Sequence, residues 1–395
     1  MDALIGYAPL YDDPLVGPLL AYVDDPSEVA ARRLGGALVT LGTSVPFAVA
    51  LRVLGASGPL PEAARGGLLG RRGRVLSREL GILGRVAHEP LRAALDAHGL
   101  GDYVPDDPPA PSAALPAATV GIAMRMAESR DWAGFAGEIT GFHRHEGIGP
   151  LATHRALRVV DGELYGIEHP DMVLESDLVG GTDVRERLAE TLRAFVTGGP
   201  AVDVLLYGPP GTGKSTTVHA LAAAFADDGL RLVQIDRREM SHLSAVMEAL
   251  RGEGPRTVIV LDDLVFDENE RSDRALRAML EGDASRRPAN LAVWATSNRM
   301  RLIHETRTER EDDVEEHLGR GERSALASRC GLRIGFGFLT VEGFLDVARA
   351  LVRRRLGTVP ADVDAGARRF AVDRGLTPRA ARQFADLYVG VTGTR

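Results

Sequence analysis

At 395 residues the chain exceeds one ordinary domain of about 100 to 200 residues, and its 45% hydrophobic and 26% charged content excludes wholesale disorder. A net charge of −8 excludes the overall positive field that accompanies avid duplex nucleic-acid binding, leaving that role only to a local basic patch. The single cysteine, Cys330, excludes an internal disulfide and a cysteine-based zinc site and fits a reducing cytoplasm.

The N-terminus, Met1-Asp2-Ala3, has no basic region ahead of an apolar stretch and does not read as a secretory signal. Residues 1–104, rich in Ala, Leu and Gly with apolar residues at helical spacing, predict a mostly helical accessory domain. Leu34 to Leu51 carries no charge, but Gly35, Gly36, Gly42, Pro46 and three hydroxyl residues dilute it, so a buried helical hairpin is expected rather than a membrane span. Arg65 to Arg78 holds five arginines and no acid, the best local candidate for touching nucleic acid or anionic lipid, with a solvated loop as the plainer reading. Residues 105–117 hold five prolines and form the clearest boundary, a Pro-rich linker.

Residues 118–176 are expected to be a helical and hairpin connector. Trp132, Phe135, Ile139 and Phe142 recur at spacings of three and four on a helix expected to pack on the next domain, and Asp161-Gly162 marks a β-hairpin within Arg155 to Ile167. His143, His145, His154 and His169 lack the carboxylate or cysteine spacing of a metal site and are expected to be structural or at the surface. Residues 177–339 alternate short apolar runs, at Asp203 to Tyr207, Leu230 to Ile235, Thr257 to Leu261, Leu291 to Ala295 and Leu332 to Phe338, with helical segments. That alternation predicts an α/β core with a parallel sheet. Glu305 to His317, dense in both charges, reads as a solvated helix or a partner-binding insertion. Residues 340–395 predict a helical lid, with helices at Val341 to Leu356, Asp362 to Arg374 and Pro378 to Val389.

Chemistry concentrates in two places. Gly208-Pro209-Pro210-Gly211-Thr212-Gly213-Lys214-Ser215 matches the phosphate-binding P-loop and follows a strand and opens a helix, as that motif requires. Its glycines let successive amides face phosphate oxygens, Lys214 neutralises the β/γ oxygens, and Ser215 ligates magnesium. Lys214 is also the only lysine among 47 basic residues. A compact ammonium fits a backbone cradle that a planar guanidinium does not, so this position resists arginine in an otherwise arginine-only chain. Asp262 and Asp263, following the Thr257 to Leu261 run, read as a second magnesium-side motif, with Asp262 as the metal ligand and Asp263 where a general base activates water.

With these residues in order, the chain resembles the AAA+ ATPases over about residues 171–389. The P-loop from Gly208 to Thr216 has the AAA+ form. Asp177-Leu-Val-Gly180 resembles the entry segment, implying that Val179 and Gly180 bracket adenine. Ala295-Thr-Ser-Asn298 resembles sensor 1, implying that Asn298 orients the lytic water. Ser328-Arg329-Cys330 resembles the arginine finger of clamp loaders, implying that Arg329 reaches a neighbouring subunit's nucleotide, and Thr377-Pro-Arg379 resembles sensor 2, implying that Arg379 reaches the nucleotide from the lid. The Asp-Asp pair, the Ala-Thr-Ser-Asn string and Ala380-Ala-Arg-Gln-Phe384 look like a bacterial AAA+ family catalogued as a domain of unknown function.

The resemblance implies ATP and Mg2+ as cofactors, hydrolysis driving work on a protein or nucleic-acid partner, and a homo-oligomer, ring or open ring. One departure stands out: Asp263 occupies a position where most AAA+ hydrolases carry Glu, and its shorter side chain favours slow turnover, as in a nucleotide-gated switch. Threading of polypeptide is not expected, because Asp236 to His242 lacks an aromatic residue and Tyr388-Val-Gly390 falls in the terminal helix.

Overall fold

The computed structural model describes residues 4–67, 70–105, 112–170, 182–264, 288–298 and 330–392. Its first core is helical, built from α1 (Val16–Asp24), α2 (Glu28–Leu38), α3 (Val45–Leu54), α4 (Pro59–Arg65), α5 (Arg71–Ala87), α6 (Leu91–Asp96), α7 (Ala117–Glu128) and α8 (Ala136–Glu146). The uncharged span from Leu34 to Leu51 is divided between α2 and α3, and no helix among the described residues is long and apolar enough to cross a membrane.

The segment expected to pack on the next domain belongs to this first core instead. Ile122, Ala123, Met126, Trp132, Ile139 and Phe142 are all buried there, with α7 against α3 and α8 against α4 and α5. The amphipathic pattern gave the helices and their buried face; which surface receives that face is a non-local fact. The single stretch is also interrupted by a 3-10 turn at Ala133–Phe135, where the indole Nε1 of Trp132 donates to the Met126 carbonyl at 2.7 Å.

After α9 (Pro150–Thr153) come β1 (Ala156–Val160), β2 (Glu163–Gly166), α10 (Thr182–Val196), β3 (Val204–Tyr207), α11 (Lys214–Ala224), β4 (Leu230–Ile235), α12 (Leu243–Ala249), β5 (Arg256–Leu261), β6 (Leu291–Ser297) and β7 (Leu332–Gly335). They form one sheet in the order β2-β1-β4-β5-β6-β3-β7, parallel throughout except for the β1-β2 hairpin. β5 and β6 are almost continuously apolar because both sheet faces are covered. Leu188, Leu192, Val218 and Leu221 pack on one face against Val204, Leu206, Val260 and Trp294. Leu243, Val246 and Met247 pack on the other against Leu205, Ile259, Leu261 and Val293. Strands β3, β5 and β6 deliver the P-loop, the Asp-Asp pair and the Asn298 segment to the same sheet edge. The observed architecture is the expected α/β core, a parallel sheet carrying the P-loop, lengthened by the hairpin that adds β1 in parallel beside β4.

The last unit is the helical bundle α13 (Val341–Leu356), α14 (Val363–Arg374) and α15 (Pro378–Thr392) around Phe344, Val347, Ala381 and Phe384. α13 shows why the sequence starts and stops there. Thr340 caps it by accepting from the Gly343 amide at 3.0 Å, Glu342 lies in the first turn and Arg353, Arg354 and Arg355 in the last, and Gly357 ends it at φ 75°.

The helical core is fastened to the start of the sheet by buried charge. Arg231 of β4 is fully buried, donating to the Glu146 carboxylate of α8, to the Leu151 carbonyl at 2.8 Å and to the Leu230 carbonyl at 3.0 Å. Burial pushes its guanidinium below the ordinary value and Glu146 pulls it back up. Arg65 pairs with Glu253 at the same junction, and Gly254 lies so near the Arg144 carbonyl that an added Cβ would come within 2.0 Å of it. Removing one partner of a buried ion pair leaves an uncompensated charge, so Glu146→Ala is expected to lower stability by about 3 to 5 kcal/mol. Urea unfolding measures it, and a loss below about 1 kcal/mol would mean that the backbone carbonyls alone satisfy Arg231.

Candidate functional site

The P-loop is shaped by three glycines in left-handed backbone, Gly208 (φ 142°), Gly211 (φ 80°) and Gly213 (φ 95°), the last preceding the first residue of α11. At Gly208 no side chain fits at all, since a Cβ would lie 2.0 Å from the Phe336 carbonyl oxygen beyond β7. Thr212 Oγ1 donates to the Pro209 carbonyl at 2.8 Å and closes the loop on itself. Asp203, just before β3, accepts from the Val293 amide at 2.7 Å, which fixes the loop's strand against β6.

Lys214 is buried, with all three ammonium donors used: to the Gly208 and Pro209 carbonyls at 2.9 Å each and to Asn298 Oδ1 at 2.8 Å. Burial pushes its pKa down; Asp263 and Asp262 raise it, and Arg379 lowers it further. Asn298 also reaches the acidic pair, its Nδ2 donating to Asp263 Oδ1 at 2.5 Å. One amide therefore links the cradle cation to the carboxylate of Asp263.

Asp262 Oδ1 accepts from Ser215 Oγ at 2.7 Å and from Thr296 Oγ1 at 2.9 Å. The Thr296 hydroxyl in turn accepts from the Asp263 amide at 2.9 Å. Parallel pairing of Leu261 with Ala295 makes this possible, because it carries Asp262 alongside Thr296 one residue further on. Asp263 sits at φ 52°, a left-handed conformation that costs a non-glycine residue about 1 to 3 kcal/mol unless its surroundings hold it. Here they do: besides the Thr296 hydroxyl, the Leu264 amide donates to the Thr296 carbonyl at 2.8 Å and Ser297 Oγ donates to the Leu264 carbonyl at 3.0 Å.

The lid closes over the loop. Thr377 accepts from the Ala380 amide at 3.1 Å at the head of α15, and the Arg379 amide donates to the Gly211 carbonyl at 3.3 Å. Between lid and sheet lies a cavity of about 650 Å³ lined by Lys214, Ser215, Thr216, Asp262, Asp263, Asn298, Arg379 and Arg382, with Val184, Leu339, Val347 and Leu351 on its apolar side. Gly211, Thr212 and Gly213 also line it. The structure thus brings together the P-loop, the acidic pair, Asn298 and Arg379. Val179, Gly180 and Arg329 lie outside the described residues, as does the Glu305 to His317 segment.

Sequence reasoning passed over Thr296 and Arg382. Thr296 sat inside the sensor-like string without a role, and its function depends on the β5-β6 register, which no local pattern encodes. Arg382 was visible as the residue one helical turn after Arg379. His143, one of the four histidines considered for a metal, is buried, its pKa pushed down by desolvation to about 4 although Nδ1 is bonded to the Gly147 carbonyl.

The chain is similar in part to several known proteins. The large subunit of replication factor C from Methanococcus maripaludis (strain C6) is 36% identical over 93 residues, which cover 22% of this chain and 19% of that protein. The Sulfolobus acidocaldarius large subunit is 34% identical over 105 residues, 25% of this chain and 24% of that one. The chain thus spans about a fifth to a quarter of the length of these curated relatives. Among solved structures, the Thermotoga maritima RuvB Holliday junction branch migration motor aligns at 20% identity and a TM-score of 0.37, covering 54% of this chain and 63% of that one. Residues 152–392, more than half of the sequence and the whole of the sheet and lid, match the family described as "Protein of unknown function (DUF815)", and the chain belongs to that family.

Proposed function

We propose that this site binds ATP with magnesium and hydrolyses it, and that the protein uses the hydrolysis to remodel or load a macromolecular partner, protein or nucleic acid. The observation that carries the reading is the convergence of Lys214, Asp262, Asp263, Asn298 and Arg379 on one cavity at the mouth of a P-loop. The cavity's volume suits a nucleotide, its polar side offers amides and cations to phosphates, and Val184, Leu339, Val347 and Leu351 offer an apolar surface to a base. Val179 and Gly180 are proposed to complete that base site.

Ser215 Oγ and the Asp262 carboxylate, already 2.7 Å apart, form an all-oxygen donor pair of the kind magnesium prefers. When bound there, the ion would offset phosphate charge. Thr216 and the loop residues Gly208, Pro209, Pro210, Gly211, Thr212 and Gly213 would hold the phosphate chain. In the reaction a water oxygen bonds to the γ-phosphorus while the bond to the β,γ-bridging oxygen breaks, giving ADP and phosphate. Asp263 takes the water's proton, Asn298 positions water and base, and Lys214 and Arg379 stabilise charge on the transferring group. Arg329 is assigned to the site of a neighbouring subunit, so a homo-oligomer is the active form. Turnover per protomer should rise with protein concentration in step with assembly mass; a monomer as active as any assembly would remove Arg329 from the scheme.

Thr296 is a positioning residue in this scheme, because one hydroxyl fixes both the Asp262 carboxylate and the Asp263 backbone. Thr296→Val keeps the shape and removes both bonds. It is expected to lower kcat about 10- to 100-fold with KM for ATP changed less than about threefold, while Thr296→Ser retains activity. Equal kcat in Thr296→Val and wild type would show that the strand pairing alone holds the acidic turn.

A second reading has its own observation. Asp263 is one methylene shorter than Glu and already engages the Asn298 amide at 2.5 Å, which favours slow turnover and a nucleotide-gated switch. ATP binding without measurable phosphate release selects that reading.

A further inference from the structure

The lid presents a second arginine to the nucleotide cavity, beside Arg379. Arg379 and Arg382 both line the cavity, and both are exposed on α15. Three residues apart, they stand about 60° apart around the helix and about 4.5 Å along it, so they share one face. The rest of the helix fixes that orientation, because Ala380, Ala381, Phe384 and Ala385 are buried in the lid core. The start of α15 is in turn held against the P-loop. The Arg379 amide donates to the Gly211 carbonyl at 3.3 Å, and a Cβ on Gly211 would lie 3.4 Å from the Arg379 Cβ and 3.5 Å from Thr377 Oγ1. Arg382 is therefore carried to the cavity by the same docked turn that carries Arg379.

The charge around the cavity gives Arg382 its weight. Arg185, Lys214, Arg379 and Arg382 line it, against Asp262 and Asp263. Lys214 and Arg379 offset the two carboxylates in number, so the positive surplus that attracts a phosphate chain comes from Arg382 and Arg185. Of those two, Arg185 already has a partner. The one acid of α15, Asp386, stands four residues after Arg382, where it could neutralise that guanidinium, but it pairs with Arg355 of α13.

We propose that Arg382 binds the phosphate chain of the nucleotide as a second cation of the lid, an assignment that rests on the nucleotide reading above. Its planar fork offers two parallel N–H donors to phosphate oxygens on the side of the chain facing the lid. The P-loop amides and Lys214 hold the side facing the sheet. The base is the poorer partner for Arg382, because Val184, Leu339, Val347 and Leu351 offer a base an apolar surface, where burial rather than charge supplies the attraction. Arg382 thus makes the hold of the lid depend on phosphate charge.

The test is calorimetric titration of the full chain with ATP and, separately, with inorganic tripolyphosphate, both with magnesium. Tripolyphosphate carries the phosphates without base or sugar. Arg382→Gln should weaken both ligands by about 10- to 100-fold, the range for losing hydrogen bonds to a charged group. Arg382→Lys should recover part of both losses, since it restores the charge without the fork. Arg369→Gln removes an exposed lid arginine that does not line the cavity and should leave both affinities unchanged. Equal affinities in wild type and Arg382→Gln, a loss for ATP with none for tripolyphosphate, or the same loss in Arg369→Gln would each overturn the proposal and leave the nucleotide site in place. Loss of both ligands with a lowered melting temperature that Arg382→Lys does not repair would make Arg382 a structural residue and overturn it too. Failure of the wild type to bind either ligand would instead remove the nucleotide reading, and this assignment with it.

Discussion

Lys214→Arg is expected to lower ATP turnover by about two to three orders of magnitude, the scale of losing one preorganised donor, although it preserves charge in a chain where every other basic residue is already arginine. The cradle explains why. Three oxygens, from Gly208, Pro209 and Asn298, stand 2.8 to 2.9 Å from a single nitrogen, an arrangement that a point-like ammonium satisfies and a planar fork cannot. The position is buried, so the larger group has to displace the loop, and Gly208 has no room to move because the Phe336 backbone lies against it. ATP affinity should fall together with kcat. Phosphate release by the purified variant is the measurement, and activity within tenfold of wild type would show that charge alone, not shape, is what this position supplies.

Asp263→Asn is expected to lower kcat by about 10² to 10⁴ while ATP affinity stays within a few-fold. The substitution isolates the chemistry because Asn, like Asp, tolerates the left-handed conformation found at φ 52°, so the turn held by Thr296 survives. What disappears is the proton acceptor. Steady-state turnover beside equilibrium binding separates the two effects. Unchanged turnover would move the base elsewhere, and weakened binding would give Asp263 a structural share in the nucleotide site.

The local motifs were legible because each depends on consecutive residues: glycines where the chain turns left-handed, a lysine where a cradle needs a point charge, a carboxylate where a buried strand ends. Their order along the chain then gave the sheet. Val204–Tyr207, Leu230–Ile235 and Arg256–Leu261 fall within a residue of the expected runs, whereas β6 continues two residues past Ala295. Those two residues, Thr296 and Ser297, are the ones that hold the acidic turn, and only the register between β5 and β6 gives them that role.

Non-local packing was the other blind spot. The pattern of Trp132, Ile139 and Phe142 specifies a buried face and is silent on its partner, which in the structure is the helical core rather than the next domain. The hairpin around Asp161-Gly162 was readable from its turn, but its parallel pairing with β4 was not, since Ala156 and Leu232 are far apart in the chain. The Arg231 to Glu146 pair is of the same kind: an arginine inside an apolar strand signals a buried partner without naming it.

Whether the cavity above the P-loop hydrolyses ATP is tested most directly by phosphate release from the wild type with and without magnesium, beside Lys214→Arg and Asp263→Asn under the same conditions. Hydrolysis at this site requires release that depends on magnesium and is lost in both variants, with ATP binding retained in Asp263→Asn. Phosphate release that continues undiminished in both variants would contradict it.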